Sequence, residues 1–255
     1  AAEAETPLVV TFVRHAESEN NNLARVSMGD YYAKRVSDPR LTEEGTEQAR
    51  SLVPAIAMLH KEMPFSRLYS SAFRRALATI EPVATHLDMK VDLWLAVHEV
   101  GGVHAGVDTP EPGITQNELR AEYPFVANPE LVGETGWWTE AKETEAEAAV
   151  RVERVRQELW TRAKGARGGA EHILILSHGY FLNRFFQCLL GSPPSVIYRH
   201  NNTGVSTVEF WPDGRLSLVR FNSTAHLAPS LLAASSVHSL LEPPEADEEA
   251  DAETL

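Results

Sequence analysis

Cysteine is almost missing: Cys188 is the one thiol in 255 residues. That excludes a disulfide framework and points to a reducing, cytoplasmic compartment. Bases are also in short supply, with 23 Lys and Arg against 36 Asp and Glu and a formal net charge of −13. No basic patch stands out, so nucleic acid is not an expected partner. No apolar run is long enough to span a bilayer and no signal-peptide pattern is found, so no membrane partner is expected. Metal-site spacings such as H-x-x-E-H and H-E-x-x-H do not occur, and His98 and His104 have no thiolate cluster beside them. Glycine-rich G-x-G turns are absent at the strand ends, which removes a nucleotide cradle. Neither a metal nor a cofactor is expected. No internal repeat stands out, and nothing in the sequence bears on oligomeric state.

What is present is an ordinary globular mixture, 43% hydrophobic and 23% charged, on a chain long enough to bury a core without crosslinks. Residues 1–228 are expected to form one domain with an insertion at about 97–139. Residues 229–255 read as an acidic, disordered tail. Its final stretch, Glu242 to Leu255, has no base and no aromatic residue. Strand and helix patterns alternate, which predicts a mainly parallel sheet covered on both faces. "LVVTFVRH" and "EHILILSHG" read as buried strands, and "FSRLYSS" and "KVDLWLA" as shorter ones. "LTEEGTEQARSLVPAIAMLH" reads as a helix with Thr42 as N-cap. "AFRRALATIEPVATHL" puts Ala76, Leu77, Ile80 and Ala84 on one helical face. Pro54 and Pro82 are expected to kink these helices, Pro54 even to divide its own. "TQNELRAEYP" predicts a short helix, "ETEAEAAVRVERVRQELWTRAKG" a long one, and "YFLNRFFQCLL" one closed by Gly191. A hairpin turning at Asp213–Gly214 closes the pattern.

The two buried strands end alike, one in Arg14–His15 and the other in His178. Ligands in open α/β sheets sit at the carboxyl ends of strands, so both histidines belong to one rim. Gly179 opens a helix, whose free amides suit an anion. In "SSAFRRALAT", Arg74 and Arg75 lie in a helix's first turn, against the dipole. An anionic ligand would compensate that placement, and arginine's fork matches phosphate oxygens.

The segment "VRHAESENN" resembles the R-H-G-E-S-x-x-N signature of the histidine phosphatase superfamily, which includes the cofactor-dependent phosphoglycerate mutases. "LTEEGTEQA", "YSSAFRRALAT" and "ILSHGYFLNRF" resemble its L-T-x-x-G-x-x-Q-A, S-S-x-x-x-R-A-x-x-T and S-H-G segments. They occur in the family's order between about Leu8 and Asn222. The resemblance implies a three-layer α/β/α sandwich with a mostly parallel central sheet, phosphoglycerate mutase-like. It implies His15 as the phosphorylated nucleophile. Arg14, Asn21, Arg75, His178 and Gly179 are implied as the phosphate-binding groups. His178 is expected as an imidazolium. The family's acid, a glutamate after the third strand, falls at Glu99, with Asp108, Glu111 and Glu17 as competitors. Ala16 stands where the family has glycine, harmless if its φ is negative.

The implied activity is metal-independent hydrolysis of small phosphate monoesters, as in a histidine acid phosphatase. A mutase is the alternative, but the acid segment here is "EVGG" and no Arg-Arg pair follows it. A non-catalytic interaction domain is disfavoured because the matched side chains are all present. Trp137 and Trp138 are expected to close the insertion onto the body; the other reading has one of them line the pocket mouth. Tyr180 and Phe181 are expected to pack in the core.

Overall fold

The computed structural model describes residues 6–105, 111–165 and 170–234. Six strands form one sheet in the order β3-β2-β4-β1-β5-β6. They are β1 (Leu8–Arg14), β2 (Arg67–Ser70), β3 (Val91–Leu93), β4 (Glu171–Ser177), β5 (Val205–Phe210) and β6 (Leu216–Ser223). The pairs β1–β4, β2–β4 and β2–β3 are parallel, whereas β5 runs antiparallel to β1 and β6 to β5. The sheet is therefore mostly parallel, and the fold is mixed α/β.

Among the described residues there are eight α-helices: α1 (Glu19–Val26), α2 (Met28–Lys34), α3 (Glu43–Glu62), α4 (Arg74–Leu87), α5 (Gln116–Glu122), α6 (Glu145–Gly165), α7 (Gly179–Leu190) and α8 (Pro229–Ala234). Alternation along β1 decides the layers. Leu8, Val10 and Phe12 point to α6 and α7, where Val152, Val155, Phe181 and Phe185 complete one core. Val13 points the other way, to α3 and α4, with Leu52, Ile56, Ile80 and Val83. Both cores are fully buried at these positions. Each such side chain is worth about 1.5–3 kcal/mol.

Most expected elements are present. Thr42 caps α3, its hydroxyl accepting from the Gly45 amide at 2.9 Å, and Thr115 closes a capping box at α5. Gly191 ends α7 in the left-handed region. Some differ. α3 runs unbroken through Pro54, so that proline does not divide it, and α4 continues through Pro82. "KVDLWLA" keeps only three strand residues before turning into a 3-10 helix at Leu95–Val97. The segment read as tail opens with α8, whose Leu231 carbonyl accepts from Gln48 Nε2 on α3 at 3.0 Å. The rest of that tail lies outside the described residues. No described helix is long and apolar enough to cross a membrane.

Candidate active site

Three neighbouring parallel strands, β2, β4 and β1, end at one rim. Register puts Arg14 beside Ser177 and Ser70 beside Leu176. The next residues out are His15, His178 and Ser71. The His15 amide donates to the Ser177 carbonyl at 2.9 Å, and the two imidazole centroids lie 5.1 Å apart. The rim reading is thus realised: separate segments bring both histidines together.

His15 is fixed in one tautomer by its own backbone. Its Nδ1 lies 2.7 Å from the Ala16 carbonyl. A carbonyl only accepts, so Nδ1 carries the proton and Nε2 keeps its lone pair. Nε2 accepts from Arg75 Nε at 3.2 Å. Burial, then Arg75 and Arg14, hold the His15 pKa well below 6.5. The ring is neutral. Thr79 and Asn202 pin the backbone around it: Ala16 N donates to Thr79 Oγ1, and Asn202 Nδ2 donates to the His15 carbonyl, both at 2.9 Å. Ala16 is buried and is not among the residues with positive φ, so its methyl group is unstrained.

His178 departs from the expected imidazolium. Burial first, then Arg75 and His15, keep its pKa well below 6.5 and favour the neutral ring. Its Nε2 lies 2.6 Å from Ser71 Oγ, and its Nδ1 is buried without a partner among the described residues.

Both expected arginines are present and buried. Burial pulls the Arg14 pKa down to about 10, with Glu99 opposing and Arg75 assisting. Arg14 donates through Nη1 to the His200 carbonyl at 2.7 Å, and its Nε has no partner among the described residues. Gly179 matters here for its missing side chain: a Cβ would stand 3.0 Å from Arg14 Nε. The Arg75 guanidinium lies 4.0 Å over the Phe73 ring, which meets His178 edge-on. Arg74, by contrast, is paired with Glu118 and Glu122 at 2.9 and 2.5 Å. Only one of the two adjacent cations therefore turns to the site. The unfavourable dipole placement of Arg74 is compensated by protein carboxylates, not by a ligand.

Asn21 reaches the site through its carbonyl oxygen. Oδ1 accepts from Ser18 N at 3.2 Å, closing the α1 capping box, and from Asn202 Nδ2 at 3.3 Å. Glu99 sits in the loop after β3, as expected, and its charge acts on both Arg14 and Arg75. Its carboxylate also caps α7. Oε1 accepts from Phe181 N at 2.8 Å and Oε2 from Tyr180 N at 3.3 Å. Glu99 thus holds the second and third amides of α7, while the Gly179 amide, the one expected to face an anion, is not among its partners. Of its competitors, Glu17 bonds Thr42 and Arg25 at 2.8 and 3.4 Å near the start of α3. Glu111 accepts from the Ser37 hydroxyl, and Asp108 lies outside the described residues.

Reading the sequence missed Ser71, Thr79, Asp38, His200 and Asn202. Ser71 and Thr79 stand at the fixed positions of the "SSAFRRALAT" motif, so a signal was there. Asp38 caps α4, which Phe73 cannot, by accepting from Arg74 N at 3.0 Å. Burial pushes the Asp38 pKa up to about 6 against the pull of Arg75. His200 and Asn202 come from an irregular loop that carries no sequence signal. At the rim, Arg35 donates to the Tyr31 hydroxyl at 2.9 Å and to His104 Nδ1 at 2.7 Å. Burial, then Arg35, Lys142 and Arg75, bring His104 down to about 4. The tryptophans close the insertion by packing on glycines: Trp137 on Gly113, Trp138 on Gly102, where a Cβ would collide with each indole. Phe181 is core, while Tyr180 donates to Glu145 at 2.8 Å. No cluster of three or more His, Cys, Asp or Glu among the described residues is arranged to hold a metal.

A comparison with curated proteins gives no match. Among solved structures, a mutant phosphoserine phosphatase from Entamoeba histolytica, in complex with phosphoserine, superposes with a TM-score of 0.57 at 24% identity. The match covers 87% of this chain and 100% of that one. A mycobacterial glucosyl-3-phosphoglycerate phosphatase with inorganic phosphate gives 0.55 at 18% identity, over 87% and 100% of the two chains. A putative alpha-ribazole-5'-P phosphatase from Escherichia coli gives 0.56 at 19%, over 85% and 96%. The family model for branch 1 of the histidine phosphatase superfamily matches residues 10–224. With that match spanning most of its length, the chain belongs to the histidine phosphatase superfamily, branch 1.

Proposed function

We propose that the protein is a metal-independent phosphomonoester hydrolase that works through a phosphohistidine on His15 and acts on small phosphorylated metabolites. The observation that carries this reading is the His15 tautomer. A neutral ring with its Nε2 lone pair turned to Arg75 is a nucleophile already deprotonated and aimed at a cationic pocket. Family membership and the phosphatases among the structural neighbours support the same class.

In the first step His15 Nε2 attacks phosphorus in line and the P–O bond to the leaving group breaks. Charge spreads over the phosphoryl oxygens, so positioning and electrostatics supply the catalysis. Arg14 and Arg75 meet that charge, and His178 offers Nδ1 once the Ser71 hydroxyl donates to Nε2. Removing one such donor costs about 3 kcal/mol in the transition state. Glu99 takes up the proton that a monoanionic ester brings with it and delivers that proton to the departing alkoxide. It then takes one from the water that attacks phosphohistidine, restoring neutral His15 and releasing phosphate. The Arg35–His104 rim, with Lys142 near it, favours small anionic esters.

The test is hydrolysis of 4-nitrophenyl phosphate by purified protein with chelator present. Turnover that survives chelation supports the reading. Loss of turnover with chelator refutes the metal-independent part, and phosphate exchange within a phosphoglycerate without net hydrolysis would support a mutase.

A further inference from the structure

The carboxylate of Glu99 is held by a loop with little regular structure, in which Gly101 and Gly102 take φ of +94° and +71°. A reactive group misplaced by about 1 Å loses about 100-fold in rate, so something must fix that loop. One buried ion pair ties it at several points. Arg151 on α6 grips Glu143 with two bonds of 2.6 Å, Nε to Oε1 and Nη2 to Oε2. Its remaining amino group, Nη1, donates to the Ala96 carbonyl at 2.7 Å and the His98 carbonyl at 3.1 Å. Glu143 holds the other end of the loop. Its Oε2 accepts from Gly101 N at 3.3 Å, and its own amide donates to the Gly101 carbonyl at 3.2 Å. Residues on both sides of Glu99 are thus tied to one fork. Ser177 Oγ, donating to the Val97 carbonyl at 2.7 Å, adds a tie from the end of β4.

The two side chains are 7% and 8% exposed. A buried ion pair adds little net stability compared with apolar packing, but its geometry is directional. Burial alone would raise the Glu143 carboxyl; Arg151 outweighs it and brings it down to about 2, so the pair stays charged. Neither group touches the phosphoryl pocket. Arg151 instead lies over Phe181, one of the residues whose amide Glu99 caps.

We propose that Arg151 and Glu143 are positioning residues for leaving-group protonation: they hold the 96–101 loop so that Glu99 serves the departing oxygen. This rests on the reading of Glu99 as the acid. The test is kcat/KM for 4-nitrophenyl phosphate, phenyl phosphate and glycerol 3-phosphate. These are measured in the native protein, Arg151→Lys, Glu143→Gln, Glu99→Gln and the double variant Glu99→Gln/Arg151→Lys. Aryl leaving groups need little protonation and alkyl ones need much. Arg151→Lys and Glu143→Gln are expected to slow glycerol 3-phosphate at least tenfold more than 4-nitrophenyl phosphate. Adding Arg151→Lys to Glu99→Gln is expected to change the alkyl rate by less than twofold. Equal slowing of all three esters, or full additivity in the double variant, overturns the clamp while leaving the acid assignment standing. A Glu99→Gln variant with native leaving-group dependence overturns both. If Arg151→Lys fails to fold, the near-isosteric Glu143→Gln decides alone by the same ester ratio.

Discussion

The site's buried imidazoles make a quantitative demand on stability, and His200 is the cleanest place to meet it. Its ring bonds Ser206 Oγ at 2.9 Å, and its carbonyl holds Arg14. Burial, against the raising effect of the Tyr198 carbonyl, brings its pKa from 6.5 down to about 3. The native ring therefore stays unprotonated where the unfolded chain takes up a proton. Stability is whole above 6.5 and falls as pH drops from 6.5 toward 3. At pH 5 the loss from this one group is about 2 kcal/mol relative to pH 8. That figure is set by the unfolded value, and moving the folded pKa to about 4 changes it by only about 0.05 kcal/mol. The assay is urea unfolding followed by tryptophan fluorescence at pH 8 and pH 5, for the native protein and for His200→Gln. The native protein is expected to lose about 2 kcal/mol more than the variant between the two pH values. Equal losses would refute the claim that His200 is buried in its neutral form.

Two further predictions concern packing and the second histidine. Gly45→Ala would place a Cβ 2.0 Å from the Glu17 carbonyl oxygen. Such overpacking costs about 1–3 kcal/mol and should lower Tm by about 2–12 °C in a thermal melt, whereas an unchanged Tm would show that the contact relaxes freely. Ser71→Ala removes the partner of His178 Nε2 and is expected to lower kcat/KM for 4-nitrophenyl phosphate about tenfold, roughly 1.4 kcal/mol of transition-state stabilisation. A native rate would remove Ser71 from the site.

The parts legible in the sequence are those written in short-range pattern. Continuous apolar runs in "LVVTFVRH" and "ILILSHG" mark two buried strands, and their shared ending places His15 and His178 on one rim. Thr42 announced its helix through capping chemistry alone. The parts that were not legible depend on which loop lies beside which strand. His200 and Asn202 reach the site only because β5 docks antiparallel on β1, a pairing that a hairpin signal does not specify. Charge assignment failed for a related reason. His178 is expected as an imidazolium for its part in phosphoryl transfer, yet burial first and then Arg75 and the other imidazole hold its pKa well below the usual value. The placement of Arg74 shows the converse: helix position alone makes both adjacent bases candidates for one anion site, the motif match selects Arg75, and Glu118 and Glu122 occupy Arg74.

Everything in the proposed chemistry turns on His15 Nε2 as the atom that accepts the phosphoryl group. The most direct measurement is to mix the protein with a phosphate monoester, quench in alkaline denaturant within milliseconds, and locate the bound phosphoryl group by peptide mass spectrometry. The account predicts an acid-labile, alkali-stable phosphoryl group on His15, and none anywhere in His15→Ala. A phosphoryl group on a different side chain, or one that persists in His15→Ala, would contradict it.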